Sequence, residues 1–495
     1  MLPKDPPAQG LPANEKGLAA MAGITLTALP LELVTKVLEE LDWYSLMNVR
    51  KTCKYLANIS KLLSVWRSQL QRYLSRHRYT PRLESPLAAF SASDLERWVT
   101  QRISADAGWK SSNTTKPTRT RYIRDHTASG VCLVPGGRWL LVGSDDGSVA
   151  AYDLDRDSAT LDDDGRFLFQ LPDRREVNYI CVDVDEDAPS LAFNVALSPA
   201  WQDADSEKAL SIHVWRVSLV GHGRKAYLTA SPLRSFEAHV TAEIACLTLH
   251  QHLLGRLILT SDRMFRIEVF DWTKSTTSLH CKTVISSGEH LDAIRLLPGK
   301  RLLAFSESFL TIYEVAPVVH KDDSLPSAPS HPVEVEPRWK LPCALRDRTR
   351  RGGISPAFTD AHATYFSFVA GSAVHGLVIP HNTQHPPRTL ELARFAEAPR
   401  FPDLALGFEK MFAHHHREAA VRLGFAWKEE RRLGVREGDD GYAVEACEYS
   451  REWNVVCPPV LDEGSGRIVQ ALINGVLVMD TALCCSVIPH ADEKV

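Results

Sequence analysis

The chain has 495 residues, too many for one compact core, so two or more domains are expected. Hydrophobic residues make up 44% and charged residues 24%, which is ordinary for soluble globular protein. With 57 Lys+Arg against 61 Asp+Glu the formal charge is −4, and this near-neutrality excludes wholesale recruitment of nucleic acid or anionic membrane by charge.

Residues 1–23 are rich in Pro, Ala and Gly without periodicity and read as a disordered tail. Gly17–Leu29 is mildly apolar. Its Pro-rich, acid-containing approach and its Thr25 and Thr27 argue against a signal segment. The 10 cysteines lack C-x-x-C spacing, and only Cys484 and Cys485 are adjacent. This pattern suggests reduced thiols in an intracellular setting, cytoplasm or nucleus. No apolar run reaches the length of a membrane span; Val476–Ile488 is broken by Asp480.

From Leu29 to Tyr73 the apolar period is helical. Pro30 stands at a first turn with Glu32 behind it. Leu33, Val34, Val37, Leu38 and Leu41 then form one broad stripe; Leu46, Val49, Cys53, Leu56 and Ile59 form a second; Leu62, Leu63, Trp66, Leu70 and Tyr73 form a third. Three short helices of this kind bury little by themselves. Residues 74–118 read as a connector with one amphipathic helix over Ser93–Ile103 and a polar linker from Lys110.

From Tyr122 onward short β-type runs alternate with turns. The clearest unit is 136–154, where a strand (Trp139–Val142) meets an Asp-Asp-Gly turn and a second strand (Val149–Leu154). The pattern returns at 255–270, 299–313 and 466–480, and more weakly at Leu191–Val217, Ala363–Ile379 and about Glu418–Tyr449. Copies roughly 45–65 residues apart match four-stranded propeller blades with insertions. A single such sheet cannot cover its own faces, whereas a ring can. Seven blades are expected, six being the alternative, over residues 119–495. Trp201–Leu210 and the Pro-rich His320–Pro337 read as surface loops. Closure of the ring places Val476–Met479 beside Thr120–Ile123.

The helical module over 24–73 resembles the F-box family. The family's Leu-Pro-x-Glu-Leu opening stands as Leu29-Pro30-Leu31-Glu32-Leu33, and Val37, Leu38, Leu41, Leu46, Val49 and Cys53 fill its next positions. The closing Leu-x-x-Trp is Leu63 to Trp66, while Tyr55 or Leu56 replaces the family's usual Trp after the Cys. The β region is similar to the WD-repeat-like propellers found behind F-boxes, through Val149–Asp153 and Ile212–Trp215, although no Gly-His opening recurs. The resemblance implies docking on a Skp-type adaptor, through it a cullin–RING scaffold, and a protein substrate held by the propeller. It also implies a non-catalytic receptor subunit of an SCF-type ubiquitin ligase, and names Leu29, Pro30, Leu33, Val37, Leu38, Leu41, Leu46, Val49 and Cys53 as the adaptor-binding set. The alternative is a propeller scaffold that acts without a ligase.

No nucleophile elbow, phosphate loop, zinc-protease motif or dinucleotide fingerprint occurs, so no catalytic residue, cofactor or metal is expected. Three consecutive histidines, His414–His416, cannot all face one ion from a strand, and His250 and His252 have no visible companions. Arg72–Arg82 and Lys116–Arg124 read as solvated charge. Arg346–Arg351 retains a narrower possibility, an acidic or phosphorylated ligand. In a propeller, ligands sit at one end of the ring, and the turns between second and third strands hold Asp145, Asp146, Arg263, Glu307, Ser372 and Asn474, the candidate substrate face. Asp, Ser and Asn also serve any hairpin turn.

Overall fold

Strands that are buried at every position need a neighbour on each face, and here they have one. In Trp139–Ser144, Trp139 and Leu141 enter one core while Leu140 and Val142 enter another. In Arg301–Ser306, Leu302 and Ala304 part from Leu303 and Phe305 in the same way. The alternation of period two persists, but both sides of each sheet are covered.

The computed structural model describes residues 26–77, 79, 82–110, 117–124, 128–156, 165–199, 209–239, 243–260, 264–276, 279–321, 335–343, 353–394, 403–414, 420–425, 427, 443–447 and 458–483. Residues 1–23, Arg263, the Arg346–Arg351 run, His415 and His416 lie outside them. The chain forms two units, Met1–Arg76 with Ser91–Glu96, and His77–Phe90 with Arg97–Val495.

Among the described residues the first unit holds the helices α1 (Leu31–Glu40), α2 (Trp43–Arg50), α3 (Lys54–Ile59) and α4 (Leu63–Arg76), together with the start of a fifth at Ala92. The second apolar stripe, expected as one helix, is broken at Cys53, whose extended backbone (φ −156°) caps α3. The break is local chemistry: the Thr52 hydroxyl donates to the Val49 carbonyl at 2.7 Å and closes α2. The last carbonyls of α1 are satisfied from α4. Gln69 Nε2 donates to the Leu41 carbonyl at 2.7 Å, and Arg72 donates to the carbonyls of Leu41 and Glu39.

Among the described residues the second unit contains seven antiparallel sheets. In ring order they cover 128–170, 177–239, 243–287 with 318–321, 291–342, 358–394, 403–447, and 460–480 with 119–123; we call them blades one to seven. Seven apolar cores each draw on two consecutive blades, the seventh joining blade seven to blade one. The fold is therefore a closed WD40-like propeller of seven blades. Neighbouring first strands, such as Val177–Val184 and Glu243–His250, lie side by side, so first strands face the ring axis. The turns between second and third strands then fall at one end with the blade-to-blade connections; the other turns fall at the opposite end.

Closure runs through Arg119–Ile123, paired antiparallel with Gly475–Asp480 in the register Tyr122↔Leu477, Ile123↔Val476. This is the pairing expected from edge protection. Buried charge reinforces it. Asp480 accepts from Arg121 at 3.0 Å and from Arg467 at 2.8 Å, and both arginines also donate to the Leu154 carbonyl in blade one at 2.9 Å.

Two expectations need correction. The insertion from His320 does not start as a loop: Val318–Lys321 pairs with 279–282 as a fifth strand of blade three, covering an exposed edge. In blade six the expected central hairpin near Glu418–Tyr449 stands earlier, as Lys410–His414 against Ala420–Gly424, with Ala443–Cys447 outermost. The reason is the sequence distance between the third and fourth strands of this blade, Ala420–Gly424 and Ala443–Cys447, which is longer than in a compact blade.

The connector is largely part of the ring. Helix α5 runs Ala92–Lys110, past the expected end at Ile103, and buries Trp98, Val99, Ala105 and Trp109. Gly108 is where it presses closest: a Cβ there would stand 1.9 Å from the Thr481 carbonyl oxygen. The segment His77–Phe90 engages turns of opposite blades. Tyr79 packs its ring, tilted by about 60°, against Phe408 at 4.3 Å and Phe358 at 5.7 Å, in blades six and five. Three residues later, Arg82 donates to the carbonyls of Asp185 and Glu186 in blade two at 2.7 and 2.6 Å. Both contacts lie at the end of the ring opposite the second–third strand turns.

An ionic cluster fastens α5. Asp106 accepts from Lys410 at 2.5 Å and meets His77 Nε2 at 2.8 Å. Burial pushes the Asp106 carboxyl up, but Lys410 and His77 outweigh it and hold it at about 2.

Two outcomes follow from this architecture. Removal of residues 466–495 opens two sheet edges and exposes apolar cores at once, so the truncated chain loses solubility as a whole; a soluble, cooperatively melting truncation would contradict the closed ring. Asp106 has a folded-state pKa below its ordinary value, so it contributes about 2 kcal/mol above the carboxylate range, lost as the pH falls from about 4 towards 2. Chemical denaturation of wild type and Asp106→Asn across that range checks this. The stability gap between them narrows as the pH is lowered.

Candidate functional site

Two surfaces carry chemistry. On the helical unit, α1 is apolar on two adjacent columns, and so small a module covers only one of them. Val34 and Leu38 are fully buried, whereas Leu33 is 52% exposed, Val37 40% and Leu31 48%. Tyr44 on α2 (58%), Tyr55 on α3 and Leu62 extend the uncovered apolar area. Asp42 caps α2, its Oδ1 accepting from the Ser45 amide at 2.8 Å, and sets the angle at which Tyr44 stands.

The nine residues that the F-box resemblance implies for adaptor binding therefore divide. Leu33, Val37, Pro30 and Cys53 are exposed; Leu29, Leu41 and Val49 are half-buried; Leu38 and Leu46 belong to the unit's own core. A motif position marks a residue the module needs, without separating folding from docking. Tyr44 and Leu31 were missed as surface residues, and the helical offset of Leu31 from Leu33 and Val37 held no signal that would have found them.

On the propeller, Asp145, Asp146, Glu307, Ser372 and Asn474 all lie between second and third strands of their blades. The ring thus brings them to one end. Among the described residues no hydrogen bond or ion pair joins any two of them. Asp145, Asp146, Glu307 and Asn474 are exposed and Ser372 is half-buried. Asp146 is partly occupied with its own turn: its Oδ1 accepts from the Ser148 amide at 2.9 Å, and hydrogen bonds from Ser148 hold its carboxyl below the ordinary value. Gly147 completes that turn at φ +82°, a conformation that favours glycine. The Asn474 carbonyl accepts from Tyr122 Oη at 2.6 Å, which ties this turn to the closing strand. Arg263 lies outside the described residues.

The first strands line the axis with half-buried Cys132, Cys181 and Cys246 on three consecutive blades. Burial pushes the Cys132 thiol up to about 12 and that of Cys181 well above its ordinary value, so both are poor nucleophiles. Among the described residues no group of three or more His, Cys, Asp or Glu could hold a metal ion, and no helix is long and apolar enough to cross a membrane. His250 meets Asp183 at 3.3 Å.

With the geometry in place, comparison with known proteins becomes informative for the helical unit. Residues 26–68 match the F-box domain model. The chain thus joins an F-box domain to a WD40-like β-propeller. No curated protein matches it. Similar solved structures include a chain of the mitotic checkpoint complex (9% identity, TM-score 0.41, 75% of this chain and 95% of that one). They also include U3-55K (11%, 0.40, 74% and 99%) and the WD40 repeats of RRP9 (11%, 0.40, 74% and 98%). The propeller assignment stands on the seven sheets and their shared cores and draws nothing from these likenesses.

The division of the F-box surface has a direct test. Leu38→Ala opens a cavity and destabilises the helical unit by about 2–5 kcal/mol, whereas Leu33→Ala changes it by less than about 0.5 kcal/mol. Hydrogen exchange over residues 31–76 of the full chain separates the two.

Proposed function

We propose that the protein is the substrate-recognition subunit of an SCF-type cullin–RING ubiquitin ligase. Its F-box docks on a Skp-type adaptor, and its propeller holds a protein substrate. The observation that carries this reading is the uncovered apolar face of Leu31, Leu33, Val37 and Tyr44 on a domain that matches the F-box model. Apolar area of that kind, on helices too short to cover it, calls for a partner's helices. The architecture is typically non-catalytic, and the receptor role needs no reaction in this chain.

For the substrate, the favoured surface is the end of the ring with the second–third strand turns. The connector residues Tyr79, Arg82 and Glu84 occupy the other end, where Glu84 pairs with Arg138 at 2.7 Å and its carbonyl accepts from the Leu191 amide at 2.7 Å. Asp145, Asp146, Glu307 and Asn474 then offer exposed polar contacts on a frame fixed by packing. The chain's near-neutral charge, −4 overall, places specificity in shape and local contacts rather than in long-range attraction.

Docking is tested by Leu33→Asp. Burying a leucine contributes about 1.5–3 kcal/mol, and the substitution both removes this and strands a charge in the interface. The variant loses capture of the Skp-type adaptor while the propeller melts as before. Quantitative profiling of ubiquitylated proteins in cells with wild type and the variant completes the test. A substrate gains ubiquitin only with the wild type; adaptor capture at undiminished strength by Leu33→Asp would falsify the docking assignment.

A further inference from the structure

At the end of the ring opposite the second–third strand turns, the connector lays a short stretch of chain against blades five, six, two and one. The described residues of 77–90 bury no apolar side chain completely, and the inter-blade cores take none of their fully buried members from them. The stretch is held instead by separate side-chain hooks, in the manner of a bound peptide.

The first hook is Tyr79. Its ring meets Phe408 at 4.3 Å, Tyr365 at 5.6 Å and Phe358 at 5.7 Å, and its hydroxyl donates to Asp360 Oδ2 at 3.3 Å. The cage has supports of its own. Phe408 stacks on Trp427 at 5.0 Å, Tyr365 also donates to Asp360 Oδ2 at 3.2 Å, and the amides of His362 and Ala363 donate to Asp360 Oδ1 at 2.7 and 2.8 Å. A pocket for a phenol therefore stands without Tyr79 in it.

The second hook is Arg82, whose guanidinium donates to the carbonyls of Asp185 and Glu186 at 2.7 and 2.6 Å. Asp183, Asp185 and Asp187 surround Glu186, so the turn is acidic where the cation arrives. Two residues on, Glu84 gives its carboxylate to Arg138 at 2.7 Å and its carbonyl to the Leu191 amide at 2.7 Å. Each charge of the connector thus meets its opposite on the ring.

We propose that this end of the ring is a binding surface for a protein segment with a tyrosine three residues before an arginine and five before an acidic residue, and that the connector fills it in cis. Asp360 selects a phenol over a plain phenyl ring, and its charge repels a phosphorylated tyrosine. Covalent linkage gives the connector an effective concentration of about a millimolar. A segment of another protein therefore enters only by binding more tightly or when the connector is loosened. The surface is closed by default. The inference is independent of the ligase reading and concerns the end of the ring opposite the face favoured there for the substrate.

Fluorescence anisotropy with a labelled synthetic peptide of residues 77–86 tests it on the full chain. The variant Tyr79→Ala with Arg82→Ala binds the peptide saturably at one site, whereas the wild type binds it at least about tenfold more weakly. A peptide with phosphotyrosine at position 79 loses at least about tenfold in affinity for the variant. If the double variant does not fold, Arg82→Ala alone decides, with a gain over wild type of about threefold or more. The inference is overturned if a cooperatively melting variant takes up no peptide, which makes the connector a brace and nothing more. It is equally overturned if wild type and variant bind the peptide alike, or if the phosphorylated peptide binds as well as the plain one.

Discussion

The pairing of Arg119–Ile123 with Gly475–Asp480 is the constraint on which the β domain depends. Each blade covers its faces only by leaning on two neighbours, and the ring supplies both neighbours to all seven only when its ends meet. The closing sheet is therefore built from the two ends of the propeller sequence. Its cost in chain entropy is large, because the paired residues are far apart in sequence. The return is the apolar core of Ile123, Val476 and Val478 with Leu140 and Val142, which neither end could form alone.

Charge specifies that closure as well as burial does. Arg121 and Arg467 are buried on either side of Asp480, and each continues to the Leu154 carbonyl. Buried ion pairs add little net stability when compared with apolar packing, yet a misregistered strand would leave these guanidinium groups without partners. They make the correct register much better than its alternatives. The Asp106, Lys410 and His77 cluster plays the same part for α5, and the close approach at Gly108 fixes how near that helix can lie to the closing strand.

The sequence made the helical module and the repeating sheets legible because both are carried by local periodicity. Strand pairs at 136–154, 255–270, 299–313 and 466–480 were visible from their apolar runs and turns, and the closing pair followed from edge protection. What escaped was set by tertiary contact. Val34 and Leu33 are neighbours of equal hydrophobicity, and only packing sends one inward and leaves the other exposed. The connector's anchors escape a search for apolar periodicity because several are polar side chains, Arg82, Glu84, Arg102 and Asp106, that bond to distant turns and helices. Ala105 and Trp109 did extend the helical period of Leu95 and Trp98, and that was the available signal for a longer α5. Of the candidate face, the turns could be placed in sequence, but no residue could be ranked, since turn chemistry and recognition use the same residue types.

The seam also sets the order of events during synthesis. The strand at 119–123 leaves the ribosome among the first of the β region, and its partner is nearly the last. For most of translation, blade one has no neighbour on its closing side, and a nascent chain carries uncovered apolar surface until residue 480 emerges. A ribosome that stalls late yields almost the whole propeller and none of its closure. For this chain, unlike one whose blades closed upon themselves, exposure of apolar surface during synthesis is built into where the ring is joined.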